Sequence, residues 1–439
     1  MTILLRLLLG LTMLSLPTML SAHAPFADTL STRLKEEAIR NLKKKHYSRA
    51  GQFLKGSVDF GLSLRKVADL ARKYDSKPLL EAVHSTKSLL KMNGHLGISK
   101  GEYLQTALFI KTELPRQLAK KHYYLSREKT GLGSSIQYDP ISHRKFICPL
   151  TKQSYIGRGR SKTVRKSILY RDHRPEVVAR GEQSVNMDKE LEITKLMQGA
   201  PGIFDVKGYG RRGHDGITKT AIFTKVYSPG SLQTTFENAV PLSLYEKMKA
   251  ALNILKGLES LHSNEIVHRD LGARNYLINI PKGKPGKRNV DAVIADLGRA
   301  IYAKDAAYTK VQGNTTYTAP EALYRKKMKS DDYYASDVYA VGCVFYWLYY
   351  GKQGVWQDRS YVKDVKGSLR SRYKKLSRRI NGAVESRRNV LSGMKSADTS
   401  TPELDFEFLI LSMLSIDPES RGTATQLREK MQLIFDGYS

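Results

Sequence analysis

The octapeptide His268–Asn275, HRDLGARN, constrains this chain more than any other stretch. Taken alone it reads as a polar turn between two strands. The motifs that accompany it narrow the choice. An apolar run, Ala292 to Ala295, leads into Asp296-Leu297-Gly298, by itself a common turn tripeptide. GNTTYTAPE follows at 313–321, SDVYAVG at 336–342 and IDPESRGTATQL at 416–427. Residues 338–348 are apolar on nearly every side, which predicts a helix buried all round. Ahead of the octapeptide, Met248, Leu252, Leu255, Leu258 and Leu261 recur at helical spacing and predict a core-facing helix with no chemical role.

In this order the motifs resemble those of the eukaryotic-type protein kinases. The octapeptide agrees with the family's catalytic loop, H-R-D-L-x-x-x-N, at every fixed position. The resemblance implies an α+β fold over 150–439: a bilobal kinase fold with a small β-rich N-lobe and a larger helical C-lobe. It implies Asp270 as the catalytic residue that takes the acceptor hydroxyl proton, with Arg274 beside it. Asn275 and Asp296 would hold Mg²⁺, with Mn²⁺ as an alternative, and ATP would be the phosphoryl donor. Asp337 would hydrogen-bond the catalytic-loop backbone, and Arg421 would pair with Glu321. Arg269 would bind a phosphorylated residue of the activation segment, where Tyr308, Thr309, Thr315 and Thr316 lie in the right window.

The nucleotide end reads less regularly. Gly157 and Gly159, within YIGRGRSKTVRKSILY at 155–170, supply two glycines of G-x-G-x-x-G. Glycine suits a loop whose N–H groups must approach phosphates without a Cβ in the way, although a tight hairpin uses the same residues. The third position is Lys162, flanked by Val164, and Ile156 precedes the first glycine. The following strand, EVVARG at 176–181, resembles V-A-I-K with Arg180 where the family has its phosphate-binding Lys. Arg is planar and larger, and does not replace Lys at a tight site. Two readings follow: a catalytically impaired pseudokinase that binds nucleotide or a partner, or a displaced lysine. IGRGRSKTV resembles the glycine loop of the with-no-lysine kinases, which carry their phosphate-binding Lys at the position of Lys162. With Asp270, Asn275 and Asp296 all present, the second reading is favoured, with Lys162 and Arg180 together around the phosphates. Glu190, rather than Glu192, would be the helix partner of that Lys. In IFTKVYSPGSL, 222–232, Thr224 falls at the gatekeeper position and Tyr227 follows the adenine-binding strand.

The acceptor signals are mixed. Gly272 stands where Ser/Thr kinases carry Lys, and Arg274 resembles the tyrosine-kinase pattern HRDLAARN. GNTTYTAPE resembles the Ser/Thr form, with Asn314 in place of its usual Thr. The reading is Ser/Thr, with tyrosine or dual specificity as the alternative.

The remainder of the 439 residues divides into a signal peptide (1–24), a small helical region (25–128) and a linker (129–149). Arg6, an apolar run from Leu7 to Leu20 and Ala22-His23-Ala24 predict cleavage and export. The alternative is an uncleaved anchor that keeps the kinase cytoplasmic. An exported kinase needs an ATP-containing compartment, which suggests an effector delivered into another cell. Leu, Ala and Lys recur at helical spacing over 31–55, 62–92 and 101–125, with Gly94 and Pro115 as interruptions. Regulation, partner binding and delivery stay open as roles for this region. Two cysteines, Cys148 and Cys343, imply neither a disulfide framework nor a zinc site. Lys and Arg number 73 against 42 Asp and Glu, a net charge of +31. The excess favours protein substrates or partners that are acidic, or anionic membrane surfaces, and RSRYKKLSRRI at 370–380 is its densest run. The usual nucleic-acid modules and interleaved aromatics are missing from the sequence, so nucleic acid is not an expected partner. Oligomeric state is not readable.

Overall fold

Where periodicity marks three helical stretches, the described residues form six helices ahead of the first strand. The computed structural model describes residues 24–91, 96–158, 162–172, 174–183, 188–214, 217–306, 317–324, 328, 330–351, 382, 384–393 and 401–438. The helices are α1 (Ala24–Lys43), α2 (Tyr47–Asp59), α3 (Leu64–Lys73), α4 (Lys77–Lys91), α5 (Lys100–Thr112) and α6 (Leu114–Ala119). Lys45 and Asp75, at φ 56° and 47°, turn the chain between α1 and α2 and between α3 and α4. Ser63 caps α3, and Ser99 with Glu102 forms a capping box on α5. Pro115 sits in the first turn of α6, where its missing N–H costs nothing. Gly94, the signal segment to residue 23 and the basic run 370–380 lie outside the described residues.

The stretch expected to be a linker, 129–149, is corrected by the structure. After β1 (Tyr124–Leu125) and α7 (Arg127–Thr130) come two paired strands, β2 (Ser135–Asp139) and β3 (Arg144–Cys148). Its Gly, Ser and Pro residues end elements instead of separating domains. Gly133 is needed for close approach: a Cβ there would sit 1.1 Å from the Glu102 carboxylate that caps α5. The strands continue as β4 (Tyr155–Arg158), β5 (Lys162–Tyr170), β6 (Glu176–Gln183), β7 (Val206–His214) and β8 (Ile217–Lys225). Together they form one eight-stranded sheet in the order β1-β2-β3-β5-β6-β8-β7, with β4 paired to the start of β5. Ile136, Ile147, Ile168 and Tyr170 project from one face into a core shared with α1 to α6. The other face buries Phe146, Cys148, Leu169, Val178, Ala221 and Phe223. Phe146 stacks on Phe223 at 3.8 Å, and Asp139 accepts a hydrogen bond from the Tyr209 amide at 3.1 Å. The two ends of the sheet order therefore meet, and the sheet curls around this second core.

These elements belong to one of two compact units, drawn from residues up to 186 together with 207–224. The second unit takes 187–206 and 225 onward. It holds α8 (Asp188–Leu196), β9 (Pro229–Ser231), α9 (Leu232–Glu237), α10 (Leu244–Ser263), β10 (Ile266–Val267), β11 (Tyr276–Asn279), β12 (Asp291–Ile294) and β13 (Ile301–Tyr302). It continues with α11 (Ala303–Ala306), α12 (Pro320–Tyr324), α13 (Ser330–Tyr350), α14 (Pro402–Met413) and α15 (Ala424–Tyr438). The expected core helix is α10, whose Met248, Leu252, Leu255, Leu258 and Leu261 are all buried. The all-round apolar helix is α13, with Val341, Cys343, Val344 and Phe345 fully enclosed. Arg421 donates to both oxygens of Glu321, at 2.6 and 2.8 Å, with neither side chain exposed. A β-rich part followed by a helical part, with helices ahead of both, is the fold class expected.

Candidate active site

Short strands fix both ends of the octapeptide. β10 pairs with β13 before it, and β11 pairs with β12 after it. Between them Arg269 takes φ 64°, a backbone conformation that a non-glycine residue keeps only when its surroundings enforce it. The buried carboxylate of Asp337, on α13, enforces it. Asp337 accepts hydrogen bonds from the His268 amide at 2.7 Å and the Arg269 amide at 2.9 Å, as expected. The His268 ring nitrogen Nε2 lies 3.1 Å from the Ala295 carbonyl, tying the loop to the residue before Asp296. The Arg269 guanidinium donates through Nε and Nη2 to the Arg299 carbonyl at 2.9 and 2.8 Å.

This scaffold presents Asp270. Arg274 Nη2 lies 3.1 and 3.0 Å from its two carboxylate oxygens, and Arg299 Nε lies 3.7 Å from one of them. Asn275 is buried, and its Nδ2 donates to the Asp270 carbonyl at 2.6 Å. That bond commits the amide's donor to the backbone and leaves Oδ1, a hard oxygen, as the atom suited to a cation. Asp296 stands at φ 60°, ψ 67°, with Ala295 between it and the end of β12. A Cβ at Gly298 would meet Glu190 Oε2 at 3.1 Å and Asp296 Oδ1 at 3.3 Å, so two carboxylates converge where only glycine leaves room. Glu190 is the buried acid of α8, whereas Glu192 is exposed and accepts from the Tyr302 hydroxyl. Within this unit the structure thus brings together Asp270, Arg274 and Asn275, and separately Glu190 and Asp296.

Gly272 has a local cause. A Cβ there would stand 2.9 Å from the ring of Tyr317, which is buried and whose hydroxyl pKa is pushed up to about 12 by that burial. A lysine at 272 has no space, and Arg274 supplies the cation two residues later. Tyr317 and Arg299 escape sequence reasoning; the usable signal for Arg299 was its place directly after Asp-Leu-Gly. Tyr308, Thr309, Asn314, Thr315 and Thr316 lie outside the described residues.

The remaining site residues lie mainly in the sheet. Gly157 pairs with Val164, and Lys162 opens β5 opposite Gln183. Lys162, Val164 and, across the pair, Gly181 share one partly open face. Arg180 pairs with Arg165 and so projects from the other face. It is 2% exposed, beside the Cys148 thiol, and neither its Nε nor its Nη2 has a partner. The expectation that Arg180 joins Lys162 around the phosphates is therefore corrected, because a strand alternates its side chains and the two point apart. Ile156 is exposed, and Thr224 leaves β8 on the side opposite Phe223. Tyr227 belongs to the second unit; its hydroxyl accepts from the Asp205 amide at 3.1 Å. Gly159 lies outside the described residues.

An aspartate held by arginine, an asparagine whose Nδ2 is tied to the backbone and an Asp at a left-handed turn suit a phosphoryl-transfer class of site. The comparison with known families agrees: residues 150–432 match the model for the protein kinase domain, and the chain belongs to that family. Among similar proteins, a probable serine/threonine-protein kinase of Dictyostelium discoideum is 27% identical over 244 residues, 55% of this chain and 13% of its own. The calcium/calmodulin-dependent protein kinase type II of Caenorhabditis elegans is 30% identical over 249 residues, 55% of this chain and 29% of its own. A probable CTD kinase subunit alpha homolog of Encephalitozoon cuniculi is 30% identical over 196 residues, 40% of this chain and 51% of its own. The matches thus span from 13% to 51% of these relatives' lengths.

Proposed function

We propose that the chain transfers the γ-phosphoryl group of ATP to Ser or Thr hydroxyls of protein substrates. The observation that carries the reading is the Asp270 carboxylate held by Arg274 while Asn275 is tied to the Asp270 carbonyl. Asp270 orients the acceptor hydroxyl and takes its proton as the new O–P bond forms and ADP departs with the electrons of the old one. Arg274 keeps that carboxylate aimed. Asn275 and Asp296 would hold Mg²⁺, or Mn²⁺, which neutralises phosphate charge when bound. By the family resemblance Lys162 would contact the phosphates, Ile156, Gly157 and Val164 would flank the nucleotide, and Thr224 and Tyr227 would serve its adenine end. The relatives named as serine/threonine and calcium/calmodulin-dependent kinases support Ser/Thr acceptors.

We further propose export. The apolar run 7–20 followed by Ala22-His23-Ala24 supports a cleaved signal, and the need for ATP supports delivery into the cytosol of another cell. N-terminal sequencing of the mature protein checks this: a chain that keeps Met1 counts against cleavage.

Labelled ATP, Mg²⁺ and a generic basic protein test the activity. The full chain should label the acceptor, and Asp270→Asn should not. Absence of labelling, with Mg-ATP still raising the melting temperature, would instead make the protein a nucleotide-binding pseudokinase.

A further inference from the structure

The octapeptide carries two guanidinium groups, Arg269 and Arg274, and Arg299 adds a third beside Asp270. Arg269 is occupied by the Arg299 carbonyl. Arg274 uses one nitrogen on Asp270. Arg299 approaches the same carboxylate at 3.7 Å through Nε, beyond hydrogen-bonding distance. The fork of Nη1 and Nη2 on Arg299 makes no hydrogen bond among the described residues. Asp270 is 9% exposed at its side chain, against 31% for Arg299 and 49% for Arg274. What an incoming substrate meets beside the catalytic oxygen is therefore positive charge more than negative. The Asp296 and Glu190 carboxylates converge on Gly298, and Asp296 is the proposed metal ligand, so neither cancels that charge for a substrate.

We propose that Arg299 is a specificity-determining residue which selects acceptors carrying a carboxylate or a phosphate group next to the acceptor hydroxyl. This rests on the kinase reading. The acceptor oxygen must come within hydrogen-bonding reach of Asp270, and a chain neighbour of that residue then lies within a side-chain length of the Arg299 fork. A planar guanidinium whose terminal nitrogens make no hydrogen bond among the described residues can match a carboxylate in bidentate fashion. Part-exposed pairs of this kind contribute roughly 1 kcal/mol, which corresponds to a preference of about five- to ten-fold.

The test compares two serine peptides, one with Glu flanking the acceptor and one with Gln, on the full chain and on Arg299→Ala and Arg299→Lys. The expected result is kcat/KM higher by about five- to ten-fold for the Glu peptide, expressed mainly in peptide KM and fading with salt. Arg299→Ala should bring the ratio near unity, and Arg299→Lys should restore part of it. A ratio near unity in the wild type, or one unchanged in Arg299→Ala, overturns the proposal. A loss confined to KM for ATP does so too, since it would assign Arg299 to the nucleotide. If no peptide is phosphorylated, the kinase reading fails separately. Fluorescence anisotropy of the same labelled peptides then decides: tighter binding of the Glu peptide, lost in Arg299→Ala, upholds the selection, and equal binding ends it.

Discussion

Replacing Arg180 with methionine separates the two cations that sequence places at one site. Arg180 is 2% exposed and two of its guanidinium nitrogens lack partners. Methionine keeps an unbranched apolar stem on the sheet face that buries Phe146, Leu169 and Val178 while removing a desolvated charge. Exchange of buried charge for apolar volume is commonly neutral to stabilising by about 1–4 kcal/mol. For a unit of about 200 residues, 2 kcal/mol corresponds to roughly 4–8 °C in melting temperature. Lys162→Ala is the opposite case: if Lys162 serves the phosphates as proposed, its loss should lower kcat by about 10²-fold or more with little effect on melting. Thermal melting and labelled-ATP transfer, run on both variants, measure the two effects. Loss of transfer in Arg180→Met as deep as in Lys162→Ala, in a protein that melts no lower, would refute the assignment of Arg180 to the sheet interior.

Three further outcomes are expected. Arg421→Met leaves the Glu321 carboxylate buried without its partner and should destabilise by about 3–5 kcal/mol; an unchanged melting curve would contradict this. Gly272→Ala forces a methyl against the Tyr317 ring at 2.9 Å, an overpacking of about 1–3 kcal/mol at the loop that carries Asp270, so kcat should fall more than melting temperature. Glu246, in the α10 capping box, is pushed up by burial but held down more strongly by Arg288 and by backbone N–H groups, to about 2 against an ordinary 4.5. A carboxyl whose folded pKa is depressed stabilises fully above its unfolded value, and that contribution disappears as pH falls from 4.5 toward 2. The stability gap between wild type and Glu246→Gln should accordingly be full near neutrality and shrink below that point; a gap of constant size down to about pH 3 would be the contrary result.

The octapeptide was legible because its chemistry is local. Asp270, Arg274 and Asn275 lie within one turn of chain, and their contacts hardly depend on distant packing. Asp337 and the Arg421–Glu321 pair were legible through the family resemblance, although they join residues far apart in sequence. Arg180 was not, because a strand assigns faces by parity, and Ala179, Arg180 and Gly181 differ only in register. The β2–β3 pair was missed because Gly131, Gly133 and Pro140 give the same composition whether they end strands or fill a linker. The fit of Tyr317 over Gly272 needs coordinates: nothing in either residue type announces the other.

The family match begins at residue 150, yet the sheet has no seam there. Ile168 and Tyr170, inside the matched region, spend their apolar surface on helices that precede it. A fragment starting at 150 would lose β3 from the edge of β5 and turn both side chains toward water, inviting aggregation. The matched segment and the helices ahead of it thus share one core: a transplant of residues 150–432 alone would carry off a broken sheet.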